Sequence, residues 1–270
     1  IVFIFSSIKR EQLIKYSMNI LSIHCGGHDS TVALFNNYQL LAAVQKERLT
    51  RRKGDGKYPD QCISEVLDIS GVRRDEVDTV VLSRASFPAR YIRLPLMKLI
   101  YYRASFQINE KYKDISKVMN RRKISVSSDV FKTSFFLKEN KFPENTKVFF
   151  CNHHYAHALS AFFYTDWDNA LIYTADAGGD NVQYSMHVFK DDELQCLYGG
   201  DEWLLQPRSI DSLGLAYSYA TEALGFIPIR HEGKLTGLAA YGEPTIYDEI
   251  AGHFSVSDSG RINSDFQDYK

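Results

Sequence analysis

His153-His154-Tyr155-Ala156-His157 follows directly on the strand-like run KVFFCN. Residues four apart on a helix share one face, with Cβ atoms about 6 Å apart, so His153 and His157 can reach one metal ion. His154 then points elsewhere, as a structural histidine. An ordinary amphipathic helix with incidental histidines explains the spacing equally well, and a suitably placed carboxylate separates the two readings. Asp176 is such a carboxylate, at the end of the strand-like run ALIYTAD. It is expected to leave the sheet at the C-terminal edge, where open α/β sheets bind ligands. Two imidazoles and a carboxylate suit Fe(II), Mn(II) or Zn(II), with positions left open for phosphate oxygens. Gly178 and Gly179 beside it allow backbone N–H groups to approach a phosphate closely.

Three further stretches carry chemistry. His28-Asp29-Ser30 lies in a turn between two strand-like runs. A neutral imidazole there can take a proton from a hydroxyl nucleophile, and Asp29 can orient it or bind a substrate amine. Such a pair is also a common local turn hydrogen bond. Lys46-Glu47-Arg48 leads into Arg51-Arg52-Lys53, a basic patch able to clamp a phosphorylated substrate or simply to be a solvated face. Gly233 to Gly242, with Gly237 and Tyr241, combines small residues with a lysine and an aromatic. Small side chains admit a flat ligand such as a nucleotide, and helix packing explains them equally well.

These residues need a scaffold, and the chain supplies one twice. Residues 20–45 read as the strands ILSIHC, TVALF and QLLAAVQ, joined by GGHDS and by a tight turn at Asn36-Asn37. Residues 170–198 repeat the plan as ALIYTAD, VQYSMHVF and ELQCLY, joined by AGGDN and a turn at Asp191-Asp192. A Gly-Gly pair and an Asp follow the first strand in both copies, which points to an internal duplication. Between the copies, YPDQCISEVLDISG has helical apolar spacing and stops at Gly71, and DTVVLS reads as a buried strand. Residues 87–146 read as a helical insertion, and SLGLAYSYATEALGF as a helix. The tail from Ser255 has no strong period.

A strand, a Gly-rich turn, two more strands and a helix occurring twice is an α/β plan. It is that of the two-lobed actin-like (ribonuclease H-like) ATPases and sugar kinases, which bind nucleotide between lobes. On that plan residues 1–17 are an upstream extension, 18–165 the first lobe and 166–270 the start of a second. Later strands of the second lobe are missing, so the chain is expected to be a piece of a longer protein.

Composition narrows the partners. Of the 270 residues 44% are hydrophobic and 13% aromatic, enough for a large core and too many for a disordered chain. Lys and Arg total 32 against 33 Asp and Glu, so no global field draws nucleic acid or an anionic membrane. Neither is expected as a partner, and anions must be held locally. Cys25, Cys62, Cys151 and Cys196 form no CxxC or close pair. That spacing argues against a zinc ribbon or disulfide scaffold and points to a reducing cytoplasm. IVFIFSS is too short for a bilayer, which takes about 20 residues, and lacks the flanks of a signal peptide.

Together, five stretches resemble the carbamoyltransferase family of nodulation-factor and antibiotic-tailoring O-carbamoyltransferases. They are GGHDSTVALFNNYQLLAAVQKERLTRRKGDGKYP, HHYAHALSAFF, ALIYTADAGGD, SLGLAYSYATEALGF and GKLTGLAAYGEP, in family order over residues 18–244. The resemblance implies chemistry that starts from carbamoyl phosphate and ATP. Carbamoyl-adenylate forms on a C-terminal domain, and the actin-like domain transfers the carbamoyl group to a hydroxyl of a small molecule or sugar. By the same resemblance, His153, His157 and Asp176 match iron ligands, with Fe(II) or another divalent metal as cofactor. His28 matches the general base, and Lys53 a phosphate contact. The segment carrying Gly237, Tyr241 and Gly242 matches the nucleotide side. Two departures stand out: a further metal-binding Asp and the adenylate-forming domain lie beyond Lys270, and Ala240 replaces the usual Pro. A sugar kinase, a tRNA threonylcarbamoyl transferase or an inactive nucleotide-binding fragment are the other readings that the fold allows.

Overall fold

The structure is a computed structural model. It describes residues 17–25, 28–83, 88–91, 93, 131–179, 182–191, 193–200, 213–228, 230–258 and 262–264. Of the expected upstream extension, residues 1–16 lie outside that set, as do Gly26, Gly27 and Asp180.

The first unit opens with the expected meander, β1 (Asn19–His24), β2 (Thr31–Asn36) and β3 (Gln39–Gln45). Asn37 turns the chain between β2 and β3 in a left-handed conformation (φ 51°), which asparagine tolerates better than most residues. After α1 (Lys46–Thr50), helix α2 (Asp60–Ser70) ends at Gly71 with φ 70°, the left-handed cap that glycine supplies without steric cost. Strand β4 (Thr79–Ser83) then runs parallel to β1, and β5 (Lys147–Cys151) parallel to β4. The sheet order is β3-β2-β1-β4-β5, with β2 antiparallel to its neighbours. These are the strand order and directions of an actin-like lobe.

Period-two burial fixes which face meets the core. Register places Leu21 level with Leu34 and Val80, and Ile23 level with Val32 and Leu82, making two buried rows across three strands. Cys62, Ile63, Val66 and Leu67 of α2 join the same core. So do Tyr91, Phe131 and Phe142, with Phe136 and Leu137 of α3 (Thr133–Glu139). The two ends of the expected helical insertion are therefore built into the first unit. Its middle, residues 94–130, lies outside the described set. Phe136 is fully buried, with ring centroids 5.2 Å from Tyr91 and 5.3 Å from Phe131. Phe136→Ala is expected to cost about 3–5 kcal/mol in denaturant unfolding, the range for emptying a packed aromatic site. A loss below about 1 kcal/mol would show that this cluster is not core.

The second unit repeats the meander: β6 (Ala170–Gly179), β7 (Val182–Lys190) and β8 (Glu193–Tyr198), all antiparallel in the order β6-β7-β8. One expectation needs correction. Strand β6 does not stop at Asp176; it continues through Gly179, and only residues 180–181 separate it from β7. The ladder nevertheless breaks there, because pairing jumps from Ala175↔Tyr184 to Gly179↔Val182. Asp176, Ala177 and Gly178 occupy a bulge, which frees the strand from regular pleating at this point.

Helix α4 (His153–Phe163) follows β5 yet packs on β6 and β7, so a helix on the N-terminal side of residue 165 rests on strands of the second unit. Then come α5 (Leu213–Ala223), α6 (Glu232–Ala239) and α7 (Tyr247–Gly252). The aperiodic tail forms a short hairpin of β9 (Phe254–Val256) with β10 (Ile262–Ser264). Among the described residues, no helix is long and apolar enough to cross a membrane.

Candidate active site

Helix α4 begins where β5 ends, and the Asn152 side chain caps it by accepting from the Tyr155 N–H at 3.0 Å. His154 sets the rotation of the helix. Its fully buried ring places Nε2 2.9 Å from the Val182 carbonyl and Nδ1 2.7 Å from the Thr174 hydroxyl. Thr174 in turn meets Ser185 at 2.6 Å. Burial pushes the His154 imidazole below its ordinary pKa and keeps it neutral. A neutral ring has one donor and one acceptor, so Nε2–H donates to Val182 and Nδ1 accepts from Thr174.

With His154 turned inward onto β6 and β7, His153 and His157 face Asp176. Asp176 Oδ2 lies 2.5 Å from His153 Nε2 and 3.7 Å from His157 Nε2, and the two Nε2 atoms are 3.0 Å apart. One donor atom of each residue falls within 4.8 Å of the others. Bonds of about 2.0–2.2 Å to one cation place donor atoms roughly 3 Å apart, so the set fits a divalent first-row metal.

Gly179 explains part of this arrangement. A Cβ added there would run into the His153 ring and come within 2.8 Å of His153 Cβ. Gly179→Ala is therefore expected to push His153 away from Asp176 and weaken metal binding by roughly 10–100-fold, as loss of an orienting partner does. Titration against a competing chelator checks this, and an unchanged affinity would refute the packing argument. Gly178 lies in the bulge between Asp176 and Gly179.

His28 and Asp29 form a second group. His28 Nδ1 lies 2.7 Å from Asp29 Oδ2, and Gln45 donates to the other carboxylate oxygen at 3.1 Å. If Nδ1 carries the proton toward Asp29, Nε2 keeps its lone pair for a base's work. The His28 side chain is 64% exposed, so that lone pair is accessible. The turn is anchored from below, where Ser30 N donates to the Asp55 carbonyl at 3.0 Å.

That same anchor brings in the basic segment. A Cβ added at Gly54 would lie 4.0 Å from His28 Cβ, so the loop carrying exposed Lys53 runs beside the imidazole. Lys46 does not belong to a basic patch: it is buried, with Nζ 2.6 Å from the Tyr58 carbonyl and 3.5 Å from Asp60. An ammonium that is buried must be paired, and these partners hold it in the first unit.

Gly237, Tyr241 and Gly242 are not drawn to the imidazoles by any described contact. Gly237 lies within α6, with open space at its Cα, and Tyr241 is 91% exposed just past its end. Conversely, the sequence gives no reason to single out His24, the last residue of β1. The structure places it near both groups. Burial, then the nearby His153 and His28 rings, hold its imidazole below the ordinary pKa.

A family model described as carbamoyltransferase N-terminus matches residues 19–270. The chain is 27% identical over 228 residues to nodulation protein NolNO of Sinorhizobium fredii, covering 84% of this chain and 30% of that protein. It is 30% identical over 233 residues to an uncharacterized protein of Synechocystis, covering 86% of this chain and 36% of that one. The chain thus spans about a third of the length of these curated relatives. Among solved structures, a ROK hexokinase from Thermus thermophilus aligns with a TM-score of 0.44 at 16% identity, over 85% of this chain and 71% of that one.

Proposed function

The chain belongs to the carbamoyltransferase family, whose N-terminal domain it matches, and from that premise we propose that it transfers a carbamoyl group to a hydroxyl. The observation that carries this reading is the convergence of His153, His157 and Asp176 on one point. The donor is carbamoyl-adenylate, made from carbamoyl phosphate and ATP by an adenylate-forming domain C-terminal to this chain in the same protein. The acceptor is a small molecule or a sugar. We place the reaction in the reducing cytoplasm, the reading that the scattered spacing of Cys25, Cys62, Cys151 and Cys196 supports.

In the transfer, the acceptor oxygen attacks the carbamoyl carbon, the new C–O bond forms, and the C–O bond to the adenylate phosphate breaks. His28 Nε2 takes the hydroxyl proton, and Asp29 holds the ring through Nδ1. Lys53, on the loop beside His28, meets phosphate oxygens of the departing AMP. His153, His157 and Asp176 would hold a divalent cation, Fe(II) by preference, which supplies Lewis acidity that offsets charge on the leaving phosphate. The segment with Gly237, Tyr241 and Gly242 accommodates the nucleotide.

The direct test supplies the protein carrying this chain with carbamoyl phosphate, ATP and a panel of alcohols and sugars. A carbamate ester and AMP are the expected products. Transfer of the ATP γ-phosphate to a polyol would overturn the reading in favour of a sugar kinase.

A further inference from the structure

Two hydroxyls beneath the imidazole cluster have no part in the transfer as written. Burial alternates along β6, so Ile172, Thr174 and Asp176 share the face that α4 covers, while Tyr173 and Ala175 are exposed. Regular pairing with β7 stops after Ala175, and Asp176 enters the bulge without a ladder partner. Thr174 is therefore the last residue on that face that the ladder holds before the bulge, and it stands opposite Ser185. Its Oγ1 lies 2.7 Å from His154 Nδ1 and 2.6 Å from Ser185 Oγ, and Ser185 Oγ lies 3.3 Å from His187 Nδ1. All four residues are buried.

The protons of this chain run one way. The Val182 carbonyl takes the Nε2–H of His154, so Nδ1 accepts from Thr174, Thr174 accepts from Ser185, and Ser185 accepts from His187 Nδ1–H. The far end returns to the helix, because the Tyr155 ring meets His187 edge-on with centroids 5.6 Å apart. Helix α4 thus rests on the chain through two successive residues, His154 and Tyr155. Apolar contact is non-directional, whereas a satisfied buried network specifies one arrangement. That direction matters here, since two imidazoles come from α4 and the carboxylate from β6, and turning the helix about its axis separates them. Thr174 touches both halves: it bonds the neighbour of His153 and lies two positions ahead of Asp176 in the same strand. We propose that Thr174 and Ser185 are positioning residues for the cation site, a hydroxyl pair that fixes the rotation of α4 on β6 and so holds His153 and His157 opposite Asp176. The assignment rests on the reading of those three side chains as cation ligands, and it adds two groups that touch neither cation nor substrate.

The test titrates the metal-free full-length protein with Co(II) against a competing chelator and records the visible ligand-field spectrum. Thr174→Val keeps the shape of the side chain and removes its hydroxyl. It is expected to weaken Co(II) binding by about 10–100-fold, the scale for loss of an outer hydrogen-bond partner, and to alter the spectrum. Ser185→Ala gives a smaller loss in the same direction, and Thr174→Ser, which restores the hydroxyl, restores the affinity. Thr146→Val is the control, since Thr146 is also buried and its hydroxyl donates to the Val77 carbonyl at 3.0 Å in the first unit. It is expected to bind Co(II) as the wild type does. Wild-type affinity and spectrum in Thr174→Val, or an equal loss in Thr146→Val, would overturn the proposal. If Thr174→Val does not fold, Ser185→Ala decides, and wild-type binding there overturns it.

These readouts need no turnover, so the hydroxyl pair is tested whichever group the protein transfers. Weakened binding in Thr174→Val with rescue in Thr174→Ser supports the pair even if carbamoyl transfer fails. Wild-type protein that takes up no Co(II) sinks the cation reading and this assignment together, an outcome distinct from variants that bind as tightly as the wild type.

Discussion

His28→Ala is expected to slow the proposed carbamoyl transfer by about 10²–10⁴-fold, the contribution of a well-placed general base, and to leave the metal content untouched. The separation of effects follows from geometry. His28 bonds Asp29 and stands over the loop carrying Lys53, whereas His153, His157 and Asp176 form a group of their own. Steady-state rates and metal analysis on the same preparation check both halves. A loss of less than about threefold would remove His28 from the role of base. Asp29→Asn should follow in the same direction with a smaller loss, since it keeps a polar group near Nδ1 but gives up the carboxylate that fixes the tautomer.

The second large effect is on the metal. Replacing His153 or His157 with alanine, or Asp176 with asparagine, removes one of three donors clustered within 4.8 Å. Each variant is expected to lose bound metal on desalting and to lose activity with it. The drop in affinity should exceed the roughly 10–100-fold that follows loss of an outer hydrogen-bond partner. Elemental analysis per folded chain is the measurement. Wild-type stoichiometry in all three variants would mean that the cluster is a hydrogen-bonded group and nothing more.

Much of this could be read before the structure, and the reasons are local. Alternation in ILSIHC and TVALF sets both the strands and their buried faces, because one register alone puts Leu21, Leu34 and Val80 in a row. The spacing of His153 and His157 sufficed to put two imidazoles on one face, and buried His154, about 100° further round the helix, points elsewhere. Elsewhere the deciding contacts were distant. Gly178 and Gly179 look like a turn, yet β7 pairs with Gly179 and turns the stretch into a bulge inside a longer strand. Lys46 reads as one of a run of basic residues, but its neighbours in space are the Tyr58 carbonyl and Asp60. His24 could not be singled out, since its partner Ser83 is 59 residues away and a lone histidine at a strand end carries no signal.

The physical claim beneath all of this is that helix α4 and the bulge in β6 together make one cation site. A crystal grown with Fe(II) under exclusion of oxygen, measured on both sides of the iron absorption edge, tests it directly. The account predicts a single anomalous peak about 2.0–2.2 Å from Nε2 of His153, Nε2 of His157 and the Asp176 carboxylate. Iron bound elsewhere, or these three side chains turned apart with no peak between them, would contradict it.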